Sequence, residues 1–235
     1  MSKTPVLFLP GLLCDQALWA HQTDHLSDIA EGLVADLTQD SSVPAMAERV
    51  LRTAPPHFAL IGLSMGGYVA FEIMRQAPQR VTQLALLDTQ ARPDTPEAKQ
   101  QRQGLISLAQ KGEFKGVTTR LLPRLIHNSR LMDDSLTGTI MKMAESVGRE
   151  AFARQQTAIM NRADSRPDLP GIKCPTLVLC GREDALTPLA LHEEMVQLIP
   201  GSVQSIIEDC GHLSALERPQ AVTAMLRHWL TYYNS

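Results

Sequence analysis

The ten residues Phe58-Ala59-Leu60-Ile61-Gly62-Leu63-Ser64-Met65-Gly66-Gly67 decide the fold class of this 235-residue chain. Residues 58–61 form an apolar run, the pattern of a strand covered on both faces. Residues 68–76 carry a helical pattern, so a sharp turn must join strand to helix between them. Gly62-Leu63-Ser64-Met65-Gly66 fits G-x-S-x-G, in which a serine on a tight, strained turn projects its hydroxyl from the sheet edge. The flanking glycines leave room for backbones to approach. At average residue usage the pattern alone arises in roughly one chain of this length in twelve. The strand before it and the helix after it are what single out Ser64 as the candidate nucleophile.

Outward from this turn, short apolar runs alternate with helical patterns, which predicts a mainly parallel sheet flanked by helices. The predicted strands are 6–9, 32–36, 58–63, 83–87, 176–180 and 204–207. In the final helix Val222, Met225, Leu226, Trp229 and Leu230 repeat on one face behind a first-turn proline, Pro219. The alternation stops after Asp88. Helices are predicted near 96–111, 113–127, 133–147 and 150–162, with Thr95 as an N-cap, Pro96 in the first turn and Pro123 kinking or splitting the second. Residues 164–171, holding Pro167 and Pro170, read as the linker back to the core. The expected organisation is a core of residues 1–90 and 170–235 with a helical cap, 91–169, inserted between strands. The cap is expected over the carboxyl edge of the sheet, where open α/β sheets bind ligands.

A serine hydroxyl becomes a good nucleophile only when a base takes its proton and a third group fixes the base's tautomer. Of the seven histidines, His212 follows an apolar run in the loop Glu208-Asp209-Cys210-Gly211, which places it at the carboxyl end of the last strand. His21, His25, His57, His127, His192 and His228 lie in helical patterns or away from such ends and read as structural. For the acid, Asp184 ends the loop Gly181-Arg182-Glu183-Asp184 one strand earlier. The adjacent Glu183 and, at the end of the strand after Ser64, Asp88 are the alternatives. A tetrahedral intermediate also needs donors: the backbone N–H of Met65, and that of Leu12 in the loop Pro10-Gly11-Leu12-Leu13. The same loop reads as a strand-to-helix connection in which Asp15 caps a helix carrying Leu18 and Trp19.

Composition is that of an ordinary globular domain, 44% hydrophobic and 20% charged, with a net charge of -3 that gives no reason to expect nucleic acid. No apolar run reaches the roughly 20 residues that span a bilayer. Residues 6–13 read as a strand and turn rather than a signal-peptide core, so a cytoplasmic protein without membrane contact is expected. Cys14, Cys174, Cys180 and Cys210 match no metal-ligand spacing and read as small buried side chains. Charge is unevenly spread. Residues 91–168 hold 13 Lys and Arg against 9 Asp and Glu, a net +4 in a chain of -3. Such a basic segment can attract an anionic substrate or an acidic carrier protein, with Arg120, Arg124, Arg154, Arg162 and Arg166 as candidate contacts, or it is the solvated face of surface helices. Of the segment's apolar residues, Met132, Met141, Met143, Phe152 and Met160 are expected mostly to pack its own core, some lining an acyl pocket.

Leu9-Pro10-Gly11-Leu12, Gly62-Leu63-Ser64-Met65-Gly66-Gly67, Gly181-Arg182-Glu183-Asp184-Ala185-Leu186-Thr187-Pro188 and Cys210-Gly211-His212-Leu213, in that order, resemble the capped α/β hydrolases of the esterase, lactonase and pimeloyl-carrier-protein methyl esterase group. The resemblance covers the chain from residue 5 to the final helix and implies Ser64, Asp184 and His212 as a catalytic set. It also keeps Asp88 open, since some members take their acid there. Pro10 stands where many relatives carry a histidine, and the chain opens directly on the oxyanion-loop strand, so about six strands are expected rather than eight. A serine at the elbow argues against the aspartate-based epoxide hydrolases and haloalkane dehalogenases and the cysteine-based dienelactone hydrolases. The implied activity is hydrolysis of a small or medium carboxylic ester through an acyl-enzyme, without metal or organic cofactor. Lactonase and carrier-protein methyl esterase are the neighbouring alternatives, and a non-catalytic ligand receptor is the alternative of another class.

Overall fold

The computed structural model describes residues 3–112 and 115–233. The six apolar runs form β1 (Thr4–Leu9), β2 (Ala30–Val34), β3 (Phe58–Leu63), β4 (Val81–Leu87), β5 (Thr176–Gly181) and β6 (Val203–Ile207). They lie in the order β2-β1-β3-β4-β5-β6, with every neighbouring pair parallel. Parallel neighbours require crossovers, and helices supply them. The helices are α1 (Ala20–His25), α2 (Val43–Thr53), α3 (Met65–Gln76), α4 (Pro96–Gln110), α5 (Leu122–Leu125), α6 (Asp134–Met160), α7 (Leu189–Leu198), α8 (Ser214–Glu217) and α9 (Pro219–Tyr232). No helix among the described residues is long and apolar enough to cross a membrane.

Period-two alternation divides the strand residues between two layers of core. Val6, Phe8, Ile61, Leu87 and Leu179 face Trp19, Val222, Leu226 and Trp229 on one side of the sheet. Leu7, Leu9, Leu60, Leu86 and Val178 face Met46, Val50, Val69 and Met195 on the other. Full burial of each such side chain contributes about 1.5–3 kcal/mol relative to exposure. This two-sided core holds the carboxyl ends of β3, β5 and β6 in fixed relation, and the loops leaving those ends carry the site. The edge strand β2 begins two residues before the predicted one and ends before Asp36, because its middle residues Glu31, Gly32 and Leu33 are exposed and weaken the apolar signal.

Between β4 and β5 the described chain is helical or irregular, without strands. Helix α4 starts as expected: Pro96 opens it and Thr95 Oγ1 accepts the Ala98 N–H at 3.2 Å. The helix predicted over 113–127 is not found. Residues 113 and 114 lie outside the described residues, 115–121 are irregular, and α5 is a single turn with Pro123 near its start, where a missing N–H costs nothing. The two helices predicted at 133–147 and 150–162 are both found, as the two halves of α6, which are parted at Gly148, where a φ of 74° interrupts the helical path.

Candidate active site

Ser64 sits between β3 and α3 with φ 54° and ψ -114°, a conformation that costs a non-glycine residue of order 1–3 kcal/mol. Surrounding contacts hold it there. The Ser64 N–H donates to Leu87 O at 3.0 Å, and Thr89 Oγ1 donates to Ser64 O at 2.8 Å. The flanking glycines are dictated by space: a Cβ on Gly66 would lie 2.1 Å from Leu9 O, and one on Gly62 would lie 2.5 Å from Gly66 O. Close approach of α3 to β1 and β3 therefore excludes any side chain at either position.

The loops after β5 and β6 bring two of the candidate residues to Ser64. His212 Nε2 lies 2.9 Å from Ser64 Oγ, and His212 Nδ1 lies 2.8 Å from Asp184 Oδ2. A carboxylate only accepts hydrogen bonds, so the proton of a neutral imidazole sits on Nδ1 and leaves Nε2 free to accept from the serine. The other Asp184 oxygen accepts the N–H groups of Leu186 and Thr187 at 2.8 and 2.9 Å, while Thr187 Oγ1 donates to Oδ2 at 2.6 Å. Burial pulls the Asp184 carboxyl upward, but His212 and these donors outweigh it and hold the group below the usual carboxylate range. Burial pulls His212 downward, and the charge and hydrogen bond of Asp184 overcome it to raise the imidazole above its ordinary value.

The alternatives for the acid have other partners. Glu183 Oε2 accepts the Cys210 N–H at 3.1 Å, bracing the next loop. Asp88 is fully buried, and its oxygens accept the Gly181 N–H and the N–H and hydroxyl of Ser214. Burial, followed by the charge of Asp184, raises its carboxyl well above the usual range. His192 is buried next to the site and accepts the Thr89 N–H on Nε2 at 3.0 Å; burial lowers its pKa to about 4, so it is neutral.

Neither Leu12 nor Met65 donates its backbone N–H to an acceptor among the described residues. The neighbouring Leu13, with φ 58°, donates to Gln155 Oε1 at 3.1 Å, and Gln155 Nε2 donates to Leu37 O at 3.2 Å. Gln155 thus ties α6 to the loop after β1. Nothing in the sequence around Gln155 marks it, because a buried glutamine on a helix has the same local pattern as a solvated one. Thr187 lies inside a motif already quoted but carries no individual signal. Asp15 caps as expected, accepting the Ala17 N–H, although the element it starts is a short 3-10 turn, Gln16–Trp19.

Above Ser64 and His212 lies a cavity of about 500 Å³. Its walls include Leu12, Leu108, Leu121, Met143 and Phe152. Met143 and Phe152 thus reach it as expected, whereas Met132 is 91% exposed, and Met141 and Met160 do not line it. Of the five candidate arginines only Arg124 lines it. Arg154 donates to Thr38 O, Arg162 pairs with Asp94 and stacks on Tyr68, Arg166 pairs with Asp164, and Arg120 lies off the wall. Lys115 also lines the cavity. Neither Arg124 nor Lys115 forms an ion pair among the described residues. Arg102 lines it too, bound to Asp94 at 2.5 Å and Gln156 at 2.6 Å.

A six-stranded parallel sheet with a serine on a strained β3–α3 turn, facing a histidine after the last strand, defines an alpha/beta hydrolase. The sequence matches that family over residues 6–225, and the chain belongs to it. Among its relatives, a thermophilic esterase from Thermogutta terrifontis, solved with malate bound, superposes with a TM-score of 0.89 and 32% identity, covering 100% of this chain and 92% of the other. The enol-lactonase from Burkholderia xenovorans LB400 gives a TM-score of 0.88 at 25% identity, covering 98% and 92%. The pimeloyl-[acyl-carrier protein] methyl ester esterase of Klebsiella pneumoniae is 27% identical over 217 residues, 87% of this chain and 81% of the relative.

Proposed function

We propose that this alpha/beta hydrolase is a serine esterase acting on small or medium carboxylic esters through an acyl-enzyme. The observation that carries the proposal is the relay Ser64–His212–Asp184, with its donor and acceptor distances of 2.9 and 2.8 Å. His212 Nε2 takes the Ser64 proton as Oγ bonds to the ester carbon. The resulting oxyanion is held by the N–H groups of Met65 and Leu12, each donor lowering the barrier by about 2.7–4 kcal/mol in comparable sites. The intermediate collapses, the carbon–alkoxy bond breaks, and the alkoxide leaves with the proton from His212. His212 then takes a proton from water, whose oxygen attacks the acyl carbon, and returns it to Ser64 as the acid departs. Asp184 keeps the imidazole in the correct tautomer and stabilises its charged form.

Two further features support the reading. Leu13 is already engaged by Gln155, while the Leu12 amide donates to no acceptor among the described residues. The cavity volume, about 500 Å³, falls in the range of roughly 300–1,000 Å³ usual for small ligands. In this reading residues 91–169 act as a cap over the site, and Arg124 and Lys115 favour an acid-bearing ester. A lactone is an internal ester open to the same chemistry, and the likeness to an enol-lactonase favours it as the second reading. A carrier-bound methyl ester stands beside it through the methyl esterase relatives.

The test is covalent labelling by a fluorophosphonate together with hydrolysis of an ester panel varied in chain length and charge. Ser64→Ala is expected to keep its circular dichroism and to lose both labelling and activity, a loss of up to about 10⁶ in kcat. Undiminished labelling of that variant moves the nucleophile elsewhere, and an unlabelled wild type points to a ligand receptor.

A further inference from the structure

The loop carrying His212 is held from two sides. Toward β5, Cys210 O accepts the Glu183 N–H at 2.9 Å while the Cys210 N–H donates to Glu183. The other hold comes from the helical stretch between β4 and β5. The N–H groups of His212 and Leu213 both donate to Leu125 O, the last residue of α5, at 3.0 and 3.1 Å. Glu217, fully buried in α8, closes this contact with its carboxylate: Oε1 accepts the Gly211 N–H at 2.9 Å and Oε2 accepts the His127 N–H at 2.7 Å. The two backbones are so near that a Cβ on Gly211 would lie 2.8 Å from His127 N.

A buried carboxylate is costly unless well satisfied, and here both oxygens accept backbone donors that belong to different parts of the chain. One donor directly precedes His212. The other directly follows a stretch whose residues Arg124 and Leu125 line the cavity. The wall of the cavity is therefore also the support of the imidazole.

We propose that Glu217 is a positioning residue for His212: by bridging Gly211 and His127 it locks the histidine loop onto α5, so that the imidazole is aimed at Ser64 only while residues 122–127 are seated. This rests on the reading of His212 as the general base. The relay has little slack, since displacing a reacting group by about 1 Å costs roughly 10²-fold in rate. A glutamine at this position offers one acceptor oxygen and turns its NH₂ toward the second N–H, so one of the two holds is lost.

The experiment compares wild type, E217Q, E217D and G211A, each checked for folding by circular dichroism and assayed well below its unfolding midpoint. The readouts are the rate of fluorophosphonate labelling at Ser64, and kcat and KM on a neutral ester. For folded E217Q, labelling and kcat are expected to fall about 10- to 100-fold with KM within about twofold, and E217D to recover part of the loss. G211A, which pushes the same backbones apart with Glu217 intact, is expected to show the same kcat loss. A brace that served stability alone would lower the unfolding midpoint and leave labelling at the wild-type rate. That result in folded E217Q overturns the proposal. If E217Q does not fold, wild-type labelling by E217D or by G211A overturns it equally. A wild type that resists labelling instead refutes the underlying esterase reading, so the two failures are distinct.

Discussion

Asp184 Oδ2 lies 2.8 Å from His212 Nδ1, while Asp88, at the end of the neighbouring strand, spends its oxygens on Gly181 and Ser214. Both carboxyls are buried and both influence the imidazole by charge, but only one touches it. Asp184→Asn is expected to keep the fold and to lose about 10⁴ in kcat, the scale seen when a triad acid becomes an amide. Asp88→Asn is expected to keep most of its activity and to lose about 1–3 kcal/mol of stability, because the amide NH₂ confronts a buried donor. Kinetics on a neutral ester and urea unfolding of the two variants check this. A crippled Asp88→Asn beside a near-normal Asp184→Asn places the acid on β4.

The raised pKa of His212 sets a pH dependence. The imidazole must be neutral to accept the Ser64 proton, so kcat/KM rises with pH as His212 deprotonates. Since Asp184 moves that step upward, the midpoint of the rising limb is expected above the ordinary value of about 6.5. Asp184→Asn removes the charge that raises it while burial remains, so the limb of the residual activity should move to lower pH. A pH–rate profile of both proteins decides, and a limb unmoved by the substitution removes Asp184 as its cause.

Gly66→Ala tests the packing that shapes the turn. A methyl group there meets Leu9 O at 2.1 Å and Leu9 C at 2.7 Å, backbone atoms that leave little room to relax. Overpacking of this kind costs about 1–3 kcal/mol or more. Urea denaturation should show that loss with an unchanged slope, and a midpoint equal to wild type shows that α3 can shift away from β1.

Charge selection at the cavity is expected to reside in Arg124 and Lys115 rather than in the segment's whole +4 excess, because Arg92, Arg102, Arg130, Arg149, Arg162 and Arg166 each pair with an acidic side chain. For an anionic ester, Arg124→Ala and Lys115→Ala should each lower kcat/KM by up to about fivefold, or ~1 kcal/mol. Turnover of a neutral ester of similar size should be unchanged. Added salt should weaken the preference, since the Debye length is about 8 Å at physiological ionic strength. Equal responses of the two esters leave these charges without a role in selection.

What was legible in the sequence was periodic or local. All six strands lie within two residues of the predicted bounds, and β3 matches at both ends, where two-sided burial leaves an uninterrupted apolar run. The proximity of Ser64, Asp184 and His212 followed from each ending a strand on one edge of a parallel sheet. The stretch from Lys115 to Leu121 is irregular where a helix was expected, and Leu121 lines the cavity. The break inside α6 falls at Gly148, between the two helices predicted from the sequence. Glu217 and Gln155 carry no local signal because what they join lies far along the chain, His127 at 90 residues from Glu217 and Leu13 at 142 from Gln155.

The tie between Gln155 and Leu13 has a consequence for recombination. A crossover that exchanged the segment between β4 and β5 for that of a relative would replace more than the walls of the pocket. It would carry away the amide oxygen that occupies Leu13 and the Leu125 carbonyl beneath His212. Donor segments that do not place both groups would bring a new pocket to a core whose Leu13 and His212 loops had lost their seats. Within this lineage, changes of substrate should therefore accumulate residue by residue on the cavity wall, while wholesale exchange of the segment succeeds only between relatives that keep both attachment points.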